Sequence, residues 1–244
     1  GEGKYRCHSC GVVSPKLRLP HQLRERDWEM KCPFCGKDVE AMPTDEEKSL
    51  YPTSVYAISK RDQEEMCLTV GRAYRLPTVA LRYFNVYGSR QALSNPYTGV
   101  AAIFSCRILN NNAPHIFEDG GQSRDFIHVS DIVRANLLAM EKEEANYQVF
   151  NVGTGRPKTV LEIADILIKK LHAPLTPKIV NKYRQGDIRH CYADISKIQK
   201  KLGFKPEVKF EDGISELVDW LRGEEALDQF EKSRWELEEK GLTT

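Results

Sequence analysis

Helical periods of apolar residues recur along most of the chain. In the segment 159–171, apolar residues return every three or four positions and form one stripe of a predicted amphipathic helix. That stripe consists of Val160, Ile163, Ala164 and Leu167. Similar periods predict helices over residues 54–74, 97–109, 129–142, 194–204 and 210–240. Thr53 or Ser54 is a suitable N-cap for the helix that ends near Tyr74, and Ser130 is a suitable cap for 129–142.

Short β-branched and aromatic runs lie between these helices. Residues 78–84 ("TVALRYF"), 113–119 ("APHIFED") and 147–153 ("YQVFNVG") are predicted strands. The first and third runs are apolar enough to be buried in a parallel sheet. Strands that alternate with helices predict an α/β fold.

Residues 1–42 depart from this pattern because they carry two pairs of closely spaced cysteines. Cys7 and Cys10 lie in "CHSCG", and Cys32 and Cys35 lie in "CPFCG". Two thiolates separated by two residues can chelate one ion from a tight turn, and the following glycine lets the backbone turn beneath it. Four such sulfurs favour a tetrahedral zinc site, with redox-active disulfides as the alternative. We therefore predict a zinc ribbon with a structural metal, since four thiolates leave no position open for catalysis.

A zinc ribbon can also bind nucleic acid or a partner protein. Residues 1–40 contain eight Lys or Arg and six Asp or Glu, which alternate rather than cluster. That small excess is typical of a solvated surface and favours the structural interpretation.

Composition narrows the classes of function further. The chain has 244 residues, of which 41% are hydrophobic, enough for a buried core. The 36 basic and 35 acidic residues leave a net charge of +1, so no nucleic-acid or membrane partner is expected. No apolar run approaches the roughly 18 residues of a membrane helix. Seven cysteines without a secretory signal favour a reducing compartment, and we expect a cytoplasmic protein.

Tyr56 and Lys60 are a candidate catalytic pair in "SVYAISKRDQ". A spacing of four residues is just over one helical turn, so both side chains project from the same helix face. Lowering the pKa of a tyrosine from near 10 to about 7 requires roughly 4 kcal/mol of preferential phenolate stabilisation, and a nearby ammonium can contribute to it. Such a tyrosine can accept a proton from a hydroxyl group. Because Tyr-x-x-x-Lys also occurs by chance, the pair alone does not establish an enzyme.

A glycine-rich loop for a dinucleotide is not found in the sequence. The nearest candidate is "GTGRPK", with Gly153 and Gly155 between a predicted strand and a predicted helix. The fingerprint G-x-G-x-x-G requires glycine where Lys158 stands. These glycines are therefore expected only to form a tight turn.

An ordered series of motifs resembles one family of enzymes. The segments are "YAISK", "LRYFNVYGSRQ", "SRDFIHVSDIV", "FNVGTG" and "RQGDIRHCYADISKIQKKLGF", within about residues 41–222. Together they resemble the extended short-chain dehydrogenases/reductases, and most of all the nucleotide-sugar 4-epimerases of the UDP-glucose 4-epimerase kind. Epimerases acting on dTDP-L-rhamnose are a finer match, since some carry a similar cysteine-bearing insert.

The resemblance implies an NAD-dependent enzyme acting on a nucleotide-diphosphate sugar. Tyr56 and Lys60 match the catalytic pair of the family, in which the lysine also holds the nicotinamide ribose. Tyr83 is in a position to line the nicotinamide pocket. Family members commonly form homodimers through a helix bundle that includes the Tyr–Lys helix.

Five further residues match substrate-binding positions of that family. Arg124 in "SRDF" and Arg184 in "RQGD" match arginines that contact the diphosphate. Asn85 matches an asparagine that orients it, and Asp187 matches a carboxylate that holds the nucleotide ribose. Cys191 borders the sugar pocket, where a small residue resembles forms that admit N-acetylated sugars.

Two neighbouring residues are assigned secondary roles. Arg189 is either a further phosphate contact or a salt-bridge partner. His128 is expected in the core or at a helix cap rather than as a base.

The resemblance also implies that a preceding segment exists. Family members begin with a Rossmann half that carries the glycine-rich loop and a Ser or Thr before "VYG". We therefore expect this chain to be the C-terminal part of such an enzyme, lacking that half and inactive alone. The expected organisation is a zinc ribbon at 1–42, the rest of the Rossmann-like domain at 43–93, and a small α/β substrate-binding region at 94–244. A Rossmann strand is expected to return near 147–153.

Two alternatives stay open. A nucleotide-sugar 4,6-dehydratase would need an Asp–Glu pair just before "VYG", outside these residues, although "RYFNVYG" favours an epimerase. The other alternative is a binding module, in which the zinc ribbon contacts nucleic acid or a partner protein and the enzyme-like part serves as a scaffold.

Overall fold

The computed structural model describes residues 1–93, 99–224, 227–241 and 243. The helices are α1 (Pro20–Arg24), α2 (Val55–Tyr74), α3 (Val100–Leu109), α4 (Val129–Glu141), α5 (Val160–Lys170), α6 (Ser196–Leu202), α7 (Phe210–Leu221) and α8 (Phe230–Glu239), with a 3-10 turn at Glu143–Ala145. The strands are β1 (Lys4–Cys7), β2 (Gly11–Val13), β3 (Glu40–Met42), β4 (Ala80–Tyr83), β5 (Asn85–Tyr87), β6 (His115–Ile116), β7 (Ser123–His128), β8 (Val149–Val152), β9 (Pro157–Thr159), β10 (Lys178–Ile179) and β11 (His190–Cys191).

Residues 1–42, which we call the cysteine unit, form a small antiparallel sheet in the order β2-β1-β3. Tyr5, Met30 and Val39 pack with two of the cysteines into a separate apolar cluster. About 40 residues bury too little apolar surface to be stable by that means alone. The unit therefore depends on further interactions, either with a metal or with the rest of the chain.

The remaining strands are mostly parallel, as the alternation of strands and helices predicted. β4 pairs with β8, and β7 lies between β11 and β5, all in parallel register. β9 adds to β7 in the antiparallel sense. β8 is buried as expected, whereas β4 is only half-buried, because β8 is its single partner strand among the described residues.

Helix caps explain where several helices begin. Ser54 accepts a hydrogen bond from the backbone N–H of Ala57, so α2 begins and ends as predicted. Thr159 and Glu162 form a capping box at the start of α5. For α4 the predicted cap was wrong: His128, not Ser130, caps the helix by accepting from the Ser130 N–H.

The helix predicted over 210–240 is divided into α7 and α8, and residues 225–226 within it lie outside the described part. The predicted start of α3 at 97–98 lies outside it as well, and the helix is described from Val100. None of the helices in the described ranges is both long and apolar enough to cross a membrane.

Two apolar cores support the body of the chain. One lies where α3, α5 and α7 pack together, and Ile163, Ala164 and Leu167 from the predicted stripe are fully buried there. The other lies between α4, α6 and β8, around Phe150. These cores place the ends of β5, β7 and β8 close together.

We expect Leu167→Ala to lower the free energy of unfolding by about 2–5 kcal/mol, because it removes buried methyl groups and leaves a cavity. Leu137→Ala is the matched control, since Leu137 on α4 is 50% exposed. Urea denaturation measures both. Equal losses for the two variants would contradict the assigned core.

Candidate active site

A cavity of about 480 Å³ lies between the start of α2, the segment after β4 and the strands β7, β8 and β11. The predicted residues that line it are Tyr56, Tyr83, Asn85, Arg124 and Cys191. They come from four separate parts of the sequence. The fold therefore brings most of the predicted site residues to one place.

Tyr56 and Lys60 lie on one face of α2, as their spacing predicted. The Lys60 Nζ lies 5.6 Å from the centroid of the Tyr56 ring. Tyr56 is 71% exposed and borders the cavity, whereas Lys60 is not among the lining residues and donates to the Gln63 side chain at 3.3 Å. The ammonium is thus close to the phenol ring, but the pair faces solvent.

Arg184 and Asp187 line a second, smaller cavity of about 190 Å³. Asn85 and Arg124 border both cavities, so the two form neighbouring parts of one cleft. The Arg184 guanidinium lies 4.4 Å from the centroid of the Phe117 ring, and its buried Nε has no hydrogen-bond partner in the described part of the chain. An unpaired donor of this kind is suited to a ligand acceptor.

Arg124 is held by backbone carbonyl groups. Its guanidinium donates to the carbonyls of Ser123, Ile188 and Arg189 at 2.7–3.0 Å. In the described ranges, neither Arg124 nor Arg184 forms an ion pair with a carboxylate. Both guanidinium groups are therefore available to an anionic ligand.

Tyr83 and Cys191 contribute different kinds of side chain to the wall of the larger cavity. The Tyr83 hydroxyl donates to Asn136 Oδ1 at 2.8 Å, so its polar end is already engaged on the α4 side. Cys191 is half-buried, and burial raises the pKa of its thiol. Cys191 is therefore a small neutral side chain at the wall of the larger cavity.

Sequence reasoning missed Lys48 and Arg82, which also line the larger cavity. Lys48 is only 8% exposed, its Nζ donates to the Ser49 carbonyl at 2.9 Å, and burial lowers its pKa. Arg82 makes a two-point ion pair with Glu64. Lys48 follows three acidic residues in a polar segment without periodicity, so no pattern indicated its burial.

Arg189 is engaged by carboxylates rather than by the cleft. The side chain is 2% exposed and donates to Glu29, Glu118 and Asp119. Of the two roles considered for it, the structure supports the salt-bridge partner. His128 is buried and caps α4, in agreement with the sequence expectation.

Gly153 and Gly155 form a tight turn, as expected, and Asp125 holds it in place. The Asp125 carboxylate accepts from the backbone N–H groups of Thr154, Gly155 and Ala193 and from the Thr154 hydroxyl, at 2.6–3.1 Å. Gly155 has a φ of +72°, and a Cβ on Gly153 would lie 2.6 Å from the Asp125 carboxylate. Asp125, the neighbour of Arg124 on β7, thus connects that strand with the segments that follow β8 and β11.

The sulfur atoms of Cys7, Cys10, Cys32 and Cys35 all lie within 4.8 Å of one another. The Sγ atoms of Cys7 and Cys35 are 3.6 Å apart. A tetrahedral site with metal–sulfur bonds of about 2.3 Å places its sulfurs about 3.8 Å apart, so the cluster fits one such ion. Burial raises the pKa of the Cys32 thiol, but backbone hydrogen bonds from Cys35 and Phe34 outweigh that effect and lower the pKa to about 7.

Comparison with known proteins gives consistent results. The sequence model of the "NAD dependent epimerase/dehydratase family" matches residues 32–153, half of the chain. A dTDP-L-rhamnose 4-epimerase of Burkholderia thailandensis is 33% identical over 92% of this chain and 60% of the relative. A putative UDP-glucose 4-epimerase of Methanocaldococcus jannaschii is 38% identical over 74% of this chain and 57% of the relative. The chain thus spans less than two thirds of the length of these relatives.

Among solved structures, the UDP-glucose 4-epimerase of Thermotoga maritima with UDP-glucose is similar, with a TM-score of 0.69 and 40% identity. The match covers 77% of this chain and 59% of that one. The chain accordingly has the α/β, Rossmann-like fold of such structures.

We expect Asp125→Asn to lower the free energy of unfolding by about 3 kcal/mol, because an amide would direct N–H donors at backbone N–H donors. Asp165→Asn on the exposed face of α5 is the control and should change it by less than about 0.5 kcal/mol. Urea denaturation at neutral pH measures both. A loss for Asp125→Asn no larger than for the control would contradict the assigned hydrogen bonds.

Proposed function

This chain belongs to the NAD dependent epimerase/dehydratase family, and we propose that it forms the C-terminal portion of an NAD-dependent nucleotide-sugar 4-epimerase. The observation that carries the proposal is the cleft in which Tyr56, Asn85, Arg124 and Cys191 meet. Each comes from a motif that resembles the corresponding family motif. The relative from Burkholderia thailandensis supports the epimerase reading over most of the chain.

In the proposed reaction, Tyr56 accepts the proton of the sugar C4 hydroxyl. NAD, when bound, supplies the acceptor for the hydride that leaves the same carbon. Lys60 keeps a positive charge beside the phenol, which favours the phenolate, and can donate to a ribose hydroxyl. After the 4-ketosugar rotates in the cleft, Tyr56 would return the proton to the C4 oxygen, and reduction of the opposite face of the sugar would invert C4.

The cleft also supports the choice of a nucleotide-diphosphate substrate. Among the residues that the structure describes, Arg124 and Arg184 have no carboxylate partners, and Asn85 lies where both cavities meet. Asp187 lines the smaller cavity and can accept from a nucleotide ribose. In this arrangement the sugar lies beside Tyr56 and Cys191, and the nucleotide lies beside Asp187.

Catalysis requires more than these 244 residues under this proposal. Their sequence has no glycine-rich loop to bind the cofactor pyrophosphate, and Tyr56 lies largely in solvent. We therefore expect the isolated chain to be inactive and the activity to belong to a parent enzyme. Exposed apolar residues on α2, such as Val55, Met66 and Tyr74, support a homodimer of that parent.

A 4,6-dehydratase is the second candidate, because the matching family includes dehydratases. Both reactions begin with the same oxidation at C4, so the cleft is compatible with either. Product analysis distinguishes a C4 epimer from a 4-keto-6-deoxy sugar.

We also propose that the four cysteines bind zinc. The spacing of the sulfurs fits a tetrahedral ion, and the two pairs come from opposite ends of the cysteine unit. The bound ion would join those ends and compensate for the small apolar core. The role is structural, since four thiolates complete the coordination.

We expect the purified chain to contain about one zinc ion per molecule, and Cys32→Ser to contain close to none, because three thiolates bind much more weakly. Cys67→Ser, at an exposed cysteine on α2, should retain the ion. Elemental analysis by mass spectrometry measures the metal. Equal zinc contents in the two variants would refute the site.

The central test of function is Tyr56→Phe in the parent enzyme. The variant keeps the ring but removes the proton acceptor, so kcat should fall by about 10²–10⁴-fold. Tyr74→Phe on the exposed end of the same helix is the control and should change kcat little. Interconversion of UDP-glucose or dTDP-sugars, followed by chromatography, measures the rate. An unchanged rate in Tyr56→Phe would overturn the proposed mechanism.

A further inference from the structure

The segment 184–191, which we call the substrate loop, contains Arg184, Asp187 and Cys191 and borders both cavities. We propose that the cysteine unit positions this loop, so that metal binding in the unit is coupled to the shape of the substrate cleft. The inference rests on the proposed function only for the statement that the loop binds substrate. The physical coupling between unit and loop stands on contacts of its own.

Glu2 makes the first connection. Its buried carboxylate accepts from the backbone N–H groups of Arg189 and His190 at 2.7 and 2.8 Å. The same carboxylate accepts from the Tyr5 hydroxyl at 2.6 Å. Tyr5 is fully buried in β1, two residues before Cys7. A rigid element of the cysteine unit therefore fixes the backbone of the loop.

Glu29 makes the second connection through side chains. One of its oxygens accepts from the Arg189 guanidinium, and the other lies 3.0 Å from His190 Nε2. Hydrogen bonds from His190 and Arg189 lower the pKa of Glu29 to about 2, so this carboxylate stays charged. Glu29 lies three residues before Cys32, and Met30 between them is fully buried.

Arg18 makes the third connection, in the interior. Its guanidinium forms a two-point ion pair with Glu118 at 2.7 Å and donates to the Asp187 carbonyl at 2.9 Å. Both side chains of the ion pair are almost completely buried. Arg18 therefore reaches the loop directly at Asp187 and, through Glu118, also at Arg189.

The opposite side of the loop faces the site. Arg124 donates to the carbonyls of Ile188 and Arg189, which are neighbours of the groups that Arg18 and Glu2 hold. The loop is therefore clamped between the cysteine unit and an arginine proposed to bind the diphosphate. A loosened cysteine unit would release one side of the clamp and shift Arg124, Asp187 and Cys191 together. Glu2, Arg18 and Glu29 are positioning residues in this scheme. Glu2 borders the larger cavity, but its carboxylate is engaged by Tyr5 and by the backbone of the loop.

The first test is hydrogen exchange of the 244-residue chain with zinc or with a chelator. We expect peptides covering 187–192 to exchange at least about tenfold faster without metal, while α5 keeps its protection. Faster exchange in 1–42 alone, with 187–192 unchanged, would overturn the proposal.

The second test leaves the cysteines and the metal in place, so it decides whether the unit holds the loop even if the chelated chain unfolds. Glu29→Ala should speed exchange in 187–192. Glu29→Gln keeps one acceptor oxygen, which can still bind Arg189, and should retain part of the protection. Glu25→Ala, at an exposed carboxylate of the same unit, is the control. Equal exchange in Glu29→Ala and the control would overturn the proposal.

Binding of UDP-glucose, measured by calorimetry, separates this inference from the proposed function. We expect Glu29→Ala to raise the Kd at least about fivefold and Glu29→Gln to raise it less, at a temperature at which circular dichroism shows both variants to be folded. No binding by the unaltered chain would count against the substrate assignment, while the exchange data still decide the coupling. Faster exchange with unaltered UDP-glucose affinity would refute the coupling to the cleft.

Discussion

The buried ion network around Arg189 is the interaction on which the rest of the structure depends. Arg18, Glu118 and Arg189 are removed from water, so each charge has lost its hydration and is stabilised only by its partners. These residues lie far apart in the sequence and come from both the cysteine unit and the body. Loss of one partner would leave an uncompensated buried charge, and the network therefore defines how the two parts of the chain fit together.

Arg124 shows how one residue can serve the fold and the site together. Its donors to backbone carbonyls hold the substrate loop, yet no carboxylate neutralises its charge in the described ranges. The neighbouring Asp125 has the opposite role, since its carboxylate is saturated by backbone and hydroxyl donors. In "SRDF", the negative charge of Asp125 therefore stabilises the fold, whereas the positive charge of the adjacent Arg124 is available to a ligand.

The exposed position of Tyr56 sets a physical condition for the proposed chemistry. Water around this exposed face screens the electrostatic effect of the Lys60 ammonium on the phenol. The Lys60 ammonium acts strongly on the phenol only when other groups cover this face of α2 and exclude water. The cofactor and the parts of the parent enzyme that hold it would provide that cover, so binding and activation of Tyr56 would be the same event.

The sequence by itself determined the α/β alternation, the cap of α2, and the grouping of Tyr56 with Lys60, because these depend on local periodicity and turn chemistry. The two C-x-x-C pairs predicted a sulfur cluster, since two cysteines separated by two residues can bind one metal ion from a tight turn. Only the tertiary structure decided that Arg189 belongs to an ion network, that Lys48 is buried and that the cysteine unit holds the substrate loop. Those features depend on contacts between residues up to 188 positions apart, and a local pattern contains no information on which distant charges will share a buried space.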